Sequence, residues 1–491
     1  MAKKDPNFIR YLGWNEQFEA SLYFVNFYNT NNVICRYVVP DAVSMRQDTL
    51  GPHFDRIIAR TALEHAVLQL GLGAPDAKKS HWVHLDSLDL QNHVTWVDAT
   101  ATDDYESLFA KISIEQREKR FPSIVSQPRW RIVVIKDESR RCLEIVFSYA
   151  HAHADGISGK IFHETLLRNF NTPEGLPVLE GRSFKTNTRT SPPLPPHEKL
   201  AHWTKGLRWT AGSAIKELRL LDFKPRITDA TWAPFQVSYS GTHFRTITIP
   251  KEVLSHVLAA CRSHDTTLTG LINALVLVSL SRRLSEKDAR GFQAITPVST
   301  RYFLKPSSKN HDPPYDPDQT MGNLVSVMNQ EYGPDVVAAI RKPQGTDTIP
   351  IESLMDVIWT VSANVRRELK NGLDLGLKNN QLSLMSFIPD WRKFHLDEVK
   401  APRASAWIMS NLGVIDGNPP VQAAGGWKID KAHFQLSIEV TRGAFHVCPI
   451  AVKGRDLTID VNWQDGIVDN ALGDNLFKDI EMMLLYIGGG P

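Results

Sequence analysis

The sequence predicts an α/β protein of the α+β kind, built as two lobes in which mixed sheets are flanked by helices. Three observations predict it. The chain has 491 residues, more than one hydrophobic core ordinarily serves. Strand-like and helix-like stretches are interleaved throughout, without the strict strand–helix–strand rhythm of a doubly wound sheet. Near the middle, Thr186 to Pro196 reads T-N-T-R-T-S-P-P-L-P-P; proline fixes φ and removes donors, so neither a helix nor a central strand continues through it. The expected division is a first lobe over 1–185, a stiff linker over 186–200 and a second lobe over 201–491.

In the first lobe, Asn15 to Phe27 starts polar and turns apolar, a helix with Asn15 as its cap. Val33 to Val39 alternates like a strand. Thr49 to Gly71 reads as an amphipathic helix, with Phe54, Ile57, Ile58, Leu63 and Val67 on its apolar side. Short strands are expected at Trp82 to Leu90 and Val94 to Val97, then a charged helix at Tyr105 to Phe121. Arg131 to Lys136 and Cys142 to Ala150 are β-branched and apolar around the polar turn Asp137 to Arg141, which predicts a hairpin with a central strand. After Asp155, Ile157, Ile161, Phe162, Leu166 and Phe170 recur at helical spacing, and Gly156 allows a tight exit from the strand.

In the second lobe, Lys199 to Leu221 carries Trp, Lys and Leu at helical spacing, the pattern of a surface helix packed on one face. His243 to Ile249 alternates as a strand, and Pro250 opens a helix through Ala260. Leu268 to Leu284 is apolar enough to be a buried helix, and Phe292 to Val298 is a strand ending in T-P-V-S-T-R. His311 to Gln319 is a loop, Ile351 to Asn371 a helix and Ala404 to Asn411 an apolar strand. A hairpin at Phe445 to Val452 and Leu457 to Trp463 precedes a terminal helix at Asn470 to Tyr486.

Composition narrows the function classes. Residues are 42% hydrophobic and 22% charged, with 56 basic against 54 acidic side chains and a net charge of +2. That balance gives no support for nucleic acid or an anionic membrane as partner. The most apolar stretch, around Leu271 to Leu280, is too short to span a bilayer, and Met1 to Asn7 lacks the apolar run of a signal peptide. Cys35, Cys142, Cys261 and Cys448 are scattered, without the spacing of a zinc site or a disulfide framework. A cytoplasmic enzyme acting as a monomer is the expectation.

One stretch carries chemistry. Ser148 to Gly159 reads S-Y-A-H-A-H-A-D-G-I-S-G and falls between a buried strand and a helix, where a rigid scaffold commonly presents reactive groups. Of the 17 histidines, only His151 has an aspartate four residues on. Three readings compete. His151 and Asp155 could be a polar pair that merely joins strand to helix. His151, His153 and Asp155 spell H-x-H-x-D, the opening of a zinc signature, but Gly156 stands where another histidine would follow. The third reading is acyl transfer: an imidazole titrating near 6.5 can take the proton of an alcohol. The alcohol then attacks a thioester, and a backbone N–H beside Gly156 at a helix start can meet the oxyanion.

The motif Y-A-H-A-H-A-D-G-I-S-G resembles that of the CoA-dependent acyltransferase superfamily, which includes chloramphenicol acetyltransferase, the condensation domains of peptide synthetases and fungal alcohol acetyltransferases. R-Y-L-G-W-N-E (Arg10 to Glu16), T-P-V-S-T-R (Thr296 to Arg301), M-G-N (Met321 to Asn323) and S-N-L-G-V-I (Ser410 to Ile415) resemble the fungal alcohol acetyltransferases, in order. The D-F-G-W-G motif of the plant branch is absent. The resemblance implies two chloramphenicol-acetyltransferase-like lobes with an active-site tunnel between them. It implies His151 as general base, Asp155 as a structural carboxylate followed by Gly156, and Arg301 holding Asp155. Ser410 and Asn411 are assigned to the tunnel wall, and His153 either to that wall or to packing. No metal and no permanently bound cofactor is implied; acetyl-CoA or another acyl-CoA is the co-substrate and a small-molecule alcohol, such as a secondary metabolite, the acceptor. Two alternatives stay open: a condensation-like enzyme drawing its acyl group from a carrier protein, and a catalytically silent binding or cyclisation scaffold.

Overall fold

The hairpin that precedes the motif forms from Trp130–Asp137 and Cys142–Tyr149, antiparallel and buried along their whole length. Its turn is closed by Asp137, whose Oδ1 accepts from Ser139 Oγ at 2.6 Å and from the Arg140 N–H at 3.0 Å. Alternation along these strands feeds two cores. Ile132, Val134, Ile145 and Phe147 face the helices Gln47–Glu64 and Gly156–Asn171, while Val133, Ile135 and Val146 meet Tyr105, Phe109 and Ile112 of the helix Tyr105–Glu118. The computed structural model describes residues 6–74, 78–99, 104–123, 125–217, 225–237, 241–304, 315–341, 350–418 and 425–489.

The hairpin is the centre of a sheet ordered Lys428–Leu436, Asn31–Val38, Cys142–Tyr149, Trp130–Asp137, Val94–Asp98. A second sheet runs Thr242–Ile249, Leu457–Gln464, Phe445–Val452, Trp407–Met409, Phe292–Ser299, Val325–Tyr332. Trp407–Met409 lies parallel to both its neighbours. The helices Leu268–Arg283, Met355–Asp374 and Asn470–Ile487 cover this sheet and build a separate core with Leu275, Trp407, Ile459 and Leu476. Leu268–Arg283 is buried nearly all round, as its predominantly apolar sequence predicts.

Lys428–Leu436 joins the two sheets. It comes from the C-terminal half, yet pairs antiparallel with Asn31–Val38 in the sheet otherwise built from the first 150 residues. It also touches the second sheet, where Asn462 Nδ2 donates to the Leu436 carbonyl at 2.9 Å and His433 Nδ1 lies 3.3 Å from Asp460 Oδ2.

Several expected boundaries move, for identifiable reasons. The helix expected to reach Gly71 ends at Glu64, and Leu70–Gly73 is a strand. A Cβ on Gly71 would stand 2.2 Å from the Val125 carbonyl oxygen, so the backbone needs glycine there for close approach rather than a helical side chain. The strand expected over Trp82 to Leu90 is two, His81–His84 and Ser87–Asp89, paired in different sheets. Asn15 is not a cap. Gly13 holds that position, its N–H donating to Glu16 Oε2 at 2.7 Å, and Asn15 Nδ2 donates instead to the Val325 carbonyl at 2.6 Å. Of the helix expected over Lys199 to Leu221, only Leu207–Glu217 is helical; 218–221 and 311–314 lie outside the described residues. Thr186 to Pro196 is neither helix nor strand and is tied down, Leu194 accepting from Arg10 Nε at 2.8 Å.

Candidate active site

A cavity of about 830 Å³ opens between the two sheets, walled by Phe434 and Leu436 on one side and by Ile295, Val327 and Ile408 on the other. His151, Asp155 and Gly156 line it, as do Ser410 and Asn411. His151 leaves the central strand in a turn and keeps 17% of its side chain exposed. Its ring is held from the Nδ1 side. Asn323 Nδ2 lies 3.4 Å from Nδ1 and donates to the His151 carbonyl at 3.1 Å, and Glu19 Oε1 lies 3.8 Å from Nδ1. No described residue bonds Nε2. Burial pushes the imidazole below its ordinary pKa, against its own carbonyl and the charges of Asp155 and Glu439, so the neutral form prevails near neutral pH.

Asp155 caps the helix Gly156–Asn171 and is fully engaged. Oδ1 accepts from the Ser158 N–H at 2.8 Å, while Oδ2 accepts from Arg301 Nη1 at 2.6 Å and from the Leu324 N–H at 2.9 Å. Arg301 follows the strand Phe292–Ser299 and spends its other donors on the Pro317 carbonyl at 3.0 Å and Ser158 Oγ at 3.1 Å. Burial would raise the Asp155 pKa, but the guanidinium and these hydrogen bonds outweigh it and hold the carboxyl below the usual range. The loop bearing His151 is thereby bolted to a segment of the other sheet.

Gly156 is required for a different reason from the tight exit that its sequence position suggests. A Cβ there would meet Leu412 Cδ2 at 2.5 Å and Phe434 Cζ at 3.1 Å, so glycine lets the helix start sit against the crossing strand. The first N–H groups of a helix have no partner within it, and Gly156 and Ile157 both line the cavity.

His153 turns away from the cavity. It is 1% exposed, packs edge-on against Trp82 at 4.6 Å, and Nε2 lies 3.3 Å from the Leu70 carbonyl. The two histidines thus serve different surroundings, and among the described residues no group of three or more His, Cys, Asp or Glu could hold a metal ion. Asn411 donates to Thr269 Oγ1 at 3.0 Å and accepts from the Gly413 N–H at 2.8 Å, which shapes the wall beside Ser410.

Sequence reasoning missed the charged wall of the cavity: Glu19, Glu398, Glu439 and Arg442. Glu398 and Glu439 share Arg442, at 2.6 Å and 3.1 Å. Burial pushes the Glu19 carboxyl up to about 8 against the pull of Arg442. Glu439 is pushed up to about 8 by burial and then by Glu19 and Glu398, with Arg442 and His151 opposing. One signal was available: Glu19 sits between Phe18 and Leu22 on a helix whose neighbouring side chains are buried.

This architecture is shared with acyl-transfer proteins. The chain matches the TRI3 trichothecene 15-O-acetyltransferase of Fusarium sporotrichioides with a TM-score of 0.72 at 12% identity, over 97% of this chain and 94% of that one. It matches the first condensation domain of the CDA synthetase with a TM-score of 0.64 at 12% identity, over 98% and 97%. The fold is therefore the chloramphenicol-acetyltransferase-like fold of acyltransferases and condensation domains. Sequence narrows the class further. The alcohol acetyltransferase family pattern matches residues 97–475. A probable alcohol acetyltransferase, FCK4 of Fusarium pseudograminearum, is 27% identical over 98% of this chain and 96% of its own. The chain belongs to the alcohol acetyltransferase family, acyltransferases that move groups other than aminoacyl groups.

Proposed function

We propose that the protein transfers an acetyl group from acetyl-CoA to the hydroxyl of a small-molecule alcohol, with His151 as general base. The observation that carries this reading is His151 itself: a neutral imidazole at the cavity wall, fixed from its Nδ1 side, with Nε2 unclaimed. With the ring proton on Nδ1, toward the residue's own carbonyl, Nε2 takes the acceptor proton as the alcohol oxygen attacks the thioester carbonyl. The N–H groups of Gly156 and Ile157, at the positive end of a helix dipole, then receive the oxyanion. Collapse of the adduct expels the CoA thiolate, which takes that proton from Nε2. Asp155 is occupied by four donor contacts, which supports a positioning role and not a proton relay. Direct attack needs donor and acceptor together in one cavity, so the route is a ternary complex without an acyl-enzyme. Purified protein incubated with acetyl-CoA and a panel of alcohols should release free CoA thiol and yield the ester. No thiol release with any alcohol, or a stable acetyl-enzyme seen by mass spectrometry without acceptor, would overturn the reading.

A further inference from the structure

The cavity wall beside His151 is out of charge balance. Three carboxyls, Glu19, Glu398 and Glu439, face the Arg442 guanidinium, while Asp397, which also lines the cavity, is paired with Lys393 and Lys400. Arg442 is committed to Glu398 through Nη1 and to Glu439 through Nε. Glu19 is the carboxyl left over. Its side chain is only 10% exposed, Oε2 has no hydrogen-bond partner, and Oε1 has His151 Nδ1 at 3.8 Å as its nearest basic neighbour. An unpartnered buried carboxyl oxygen is costly unless a ligand or solvent meets it. Aromatic rings border the same wall: Phe18, Tyr28, Trp391 and Phe394 all line the cavity, with Phe18 and Trp391 packed edge to face at 5.1 Å. Ring faces attract cations as carboxylates do.

We propose that the acceptor alcohol carries a basic nitrogen, and that its protonated form seats on Glu19, backed by Glu439 and the aromatic rings, with the reacting hydroxyl presented to His151. This deepens the acyl-transfer reading and rests on it. The groups facing the seat are Glu19 on the helix Trp14–Phe24, His395, Asp397 and Glu398 on the helix Trp391–Glu398, and Glu439 and Arg442 in the turn beyond Leu436, with His151 and Tyr28 beside them. Burial pushes both Glu19 and Glu439 up to about 8, with Arg442 opposing. A bound ammonium supplies a further cation, ionises a carboxyl and releases a proton. It also disfavours imidazolium nearby, which keeps His151 in its basic form.

Dimethylaminoethanol and isoamyl alcohol test the idea, since protonated nitrogen in one replaces carbon in the other on the same skeleton. With acetyl-CoA as donor, kcat/KM should favour dimethylaminoethanol by at least about tenfold, a ratio well within the reach of one close charge pair. In Glu19→Gln the ratio should collapse toward one. Equal use of both alcohols by the wild type, or an equal loss for both in the variant, would overturn the proposal and make Glu19 a partner of His151 alone. Calorimetric titration with dimethylaminoethanol separates this from failure of the acetyl-CoA reading, because it needs no turnover. Binding at pH 7 should release a proton to the buffer, and Glu19→Gln should abolish the release. Absence of binding, or binding without release, counts against the seat.

Discussion

In the proposed reaction His151 acts as the base, a role supported by surroundings that disfavour its charged form and by contacts on its Nδ1 side. Replacing it with alanine should lower kcat by about 10² to 10⁴, the usual contribution of a positioned general base. Circular dichroism and the melting temperature should stay close to wild type, because a partly exposed side chain is lost from a cavity wall. A folded variant with wild-type turnover would remove His151 from the chemistry. The sign of the pH effect follows from burial: the imidazole pKa lies below its ordinary value of 6.5, so the base form survives as pH falls through that value. The acid limb of kcat/KM should therefore lie below 6.5; a limb above it would contradict the assigned base. At this scale the sequence was partly legible. His151, Asp155 and Gly156 stand out because the spacing is local and unique among the histidines. Glu19, Glu439 and Arg442 are contributed by segments far apart in the chain, and only folding brings them to one wall.

Among elements, the motif loop depends on two joints. The first is Asp155 to Arg301, buried at 4% and 3% side-chain exposure, which ties the start of a first-sheet helix to the end of a second-sheet strand. Removing either partner leaves the other charged and buried, so Asp155→Ala and Arg301→Ala should each cost about 3–5 kcal/mol in chemical denaturation. Arg301→Lys should recover only part, since an ammonium cannot fork to Asp155, Ser158 and Pro317 together. A loss below about 1 kcal/mol for both alanine variants would argue that the joint carries no strain-bearing role. The second joint is Gly156 against Leu412 and Phe434. Gly156→Ala should destabilise by about 1–3 kcal/mol through overpacking, and Leu412→Ala should restore part of that loss in the double variant, because its Cδ2 is the atom met at 2.5 Å. Additive losses would mean that the two residues do not press on each other. The central hairpin and the buried helix Leu268–Arg283 were legible because apolar residues dominate each of them. Lys428–Leu436 was not, because a bulge between Ile429 and Lys431 disrupts the two-residue alternation and charged residues occupy its first half. Val325–Tyr332 escaped because it is an edge strand facing the cavity, half of it only partly buried.

Over the whole molecule, two sets of buried groups oppose each other in their dependence on pH. Burial pushes His65, His93, His163 and His197 down to about 4 and His446 to about 3. The unfolded chain protonates such rings near 6.5 and so binds more protons than the folded one between those values. Their contribution to stability is complete above 6.5 and falls as pH drops toward 4. Glu19 and Glu439 act in reverse. Unfolded, they titrate near 4.5, whereas folded they hold their protons to about 8, so the folded chain binds more protons in that window and stability falls as pH rises through it. These two carboxyls of the cavity wall are therefore a source of instability on the alkaline side. Glutamine keeps the shape of glutamate without its charge. In the absence of ligand, Glu19→Gln should melt at nearly the wild-type temperature around pH 5 and increasingly above it as pH approaches about 9. An offset that stays constant across this range would show that Glu19 is ionised in the folded protein throughout, and that its carboxyl already has a counter-charge within the chain.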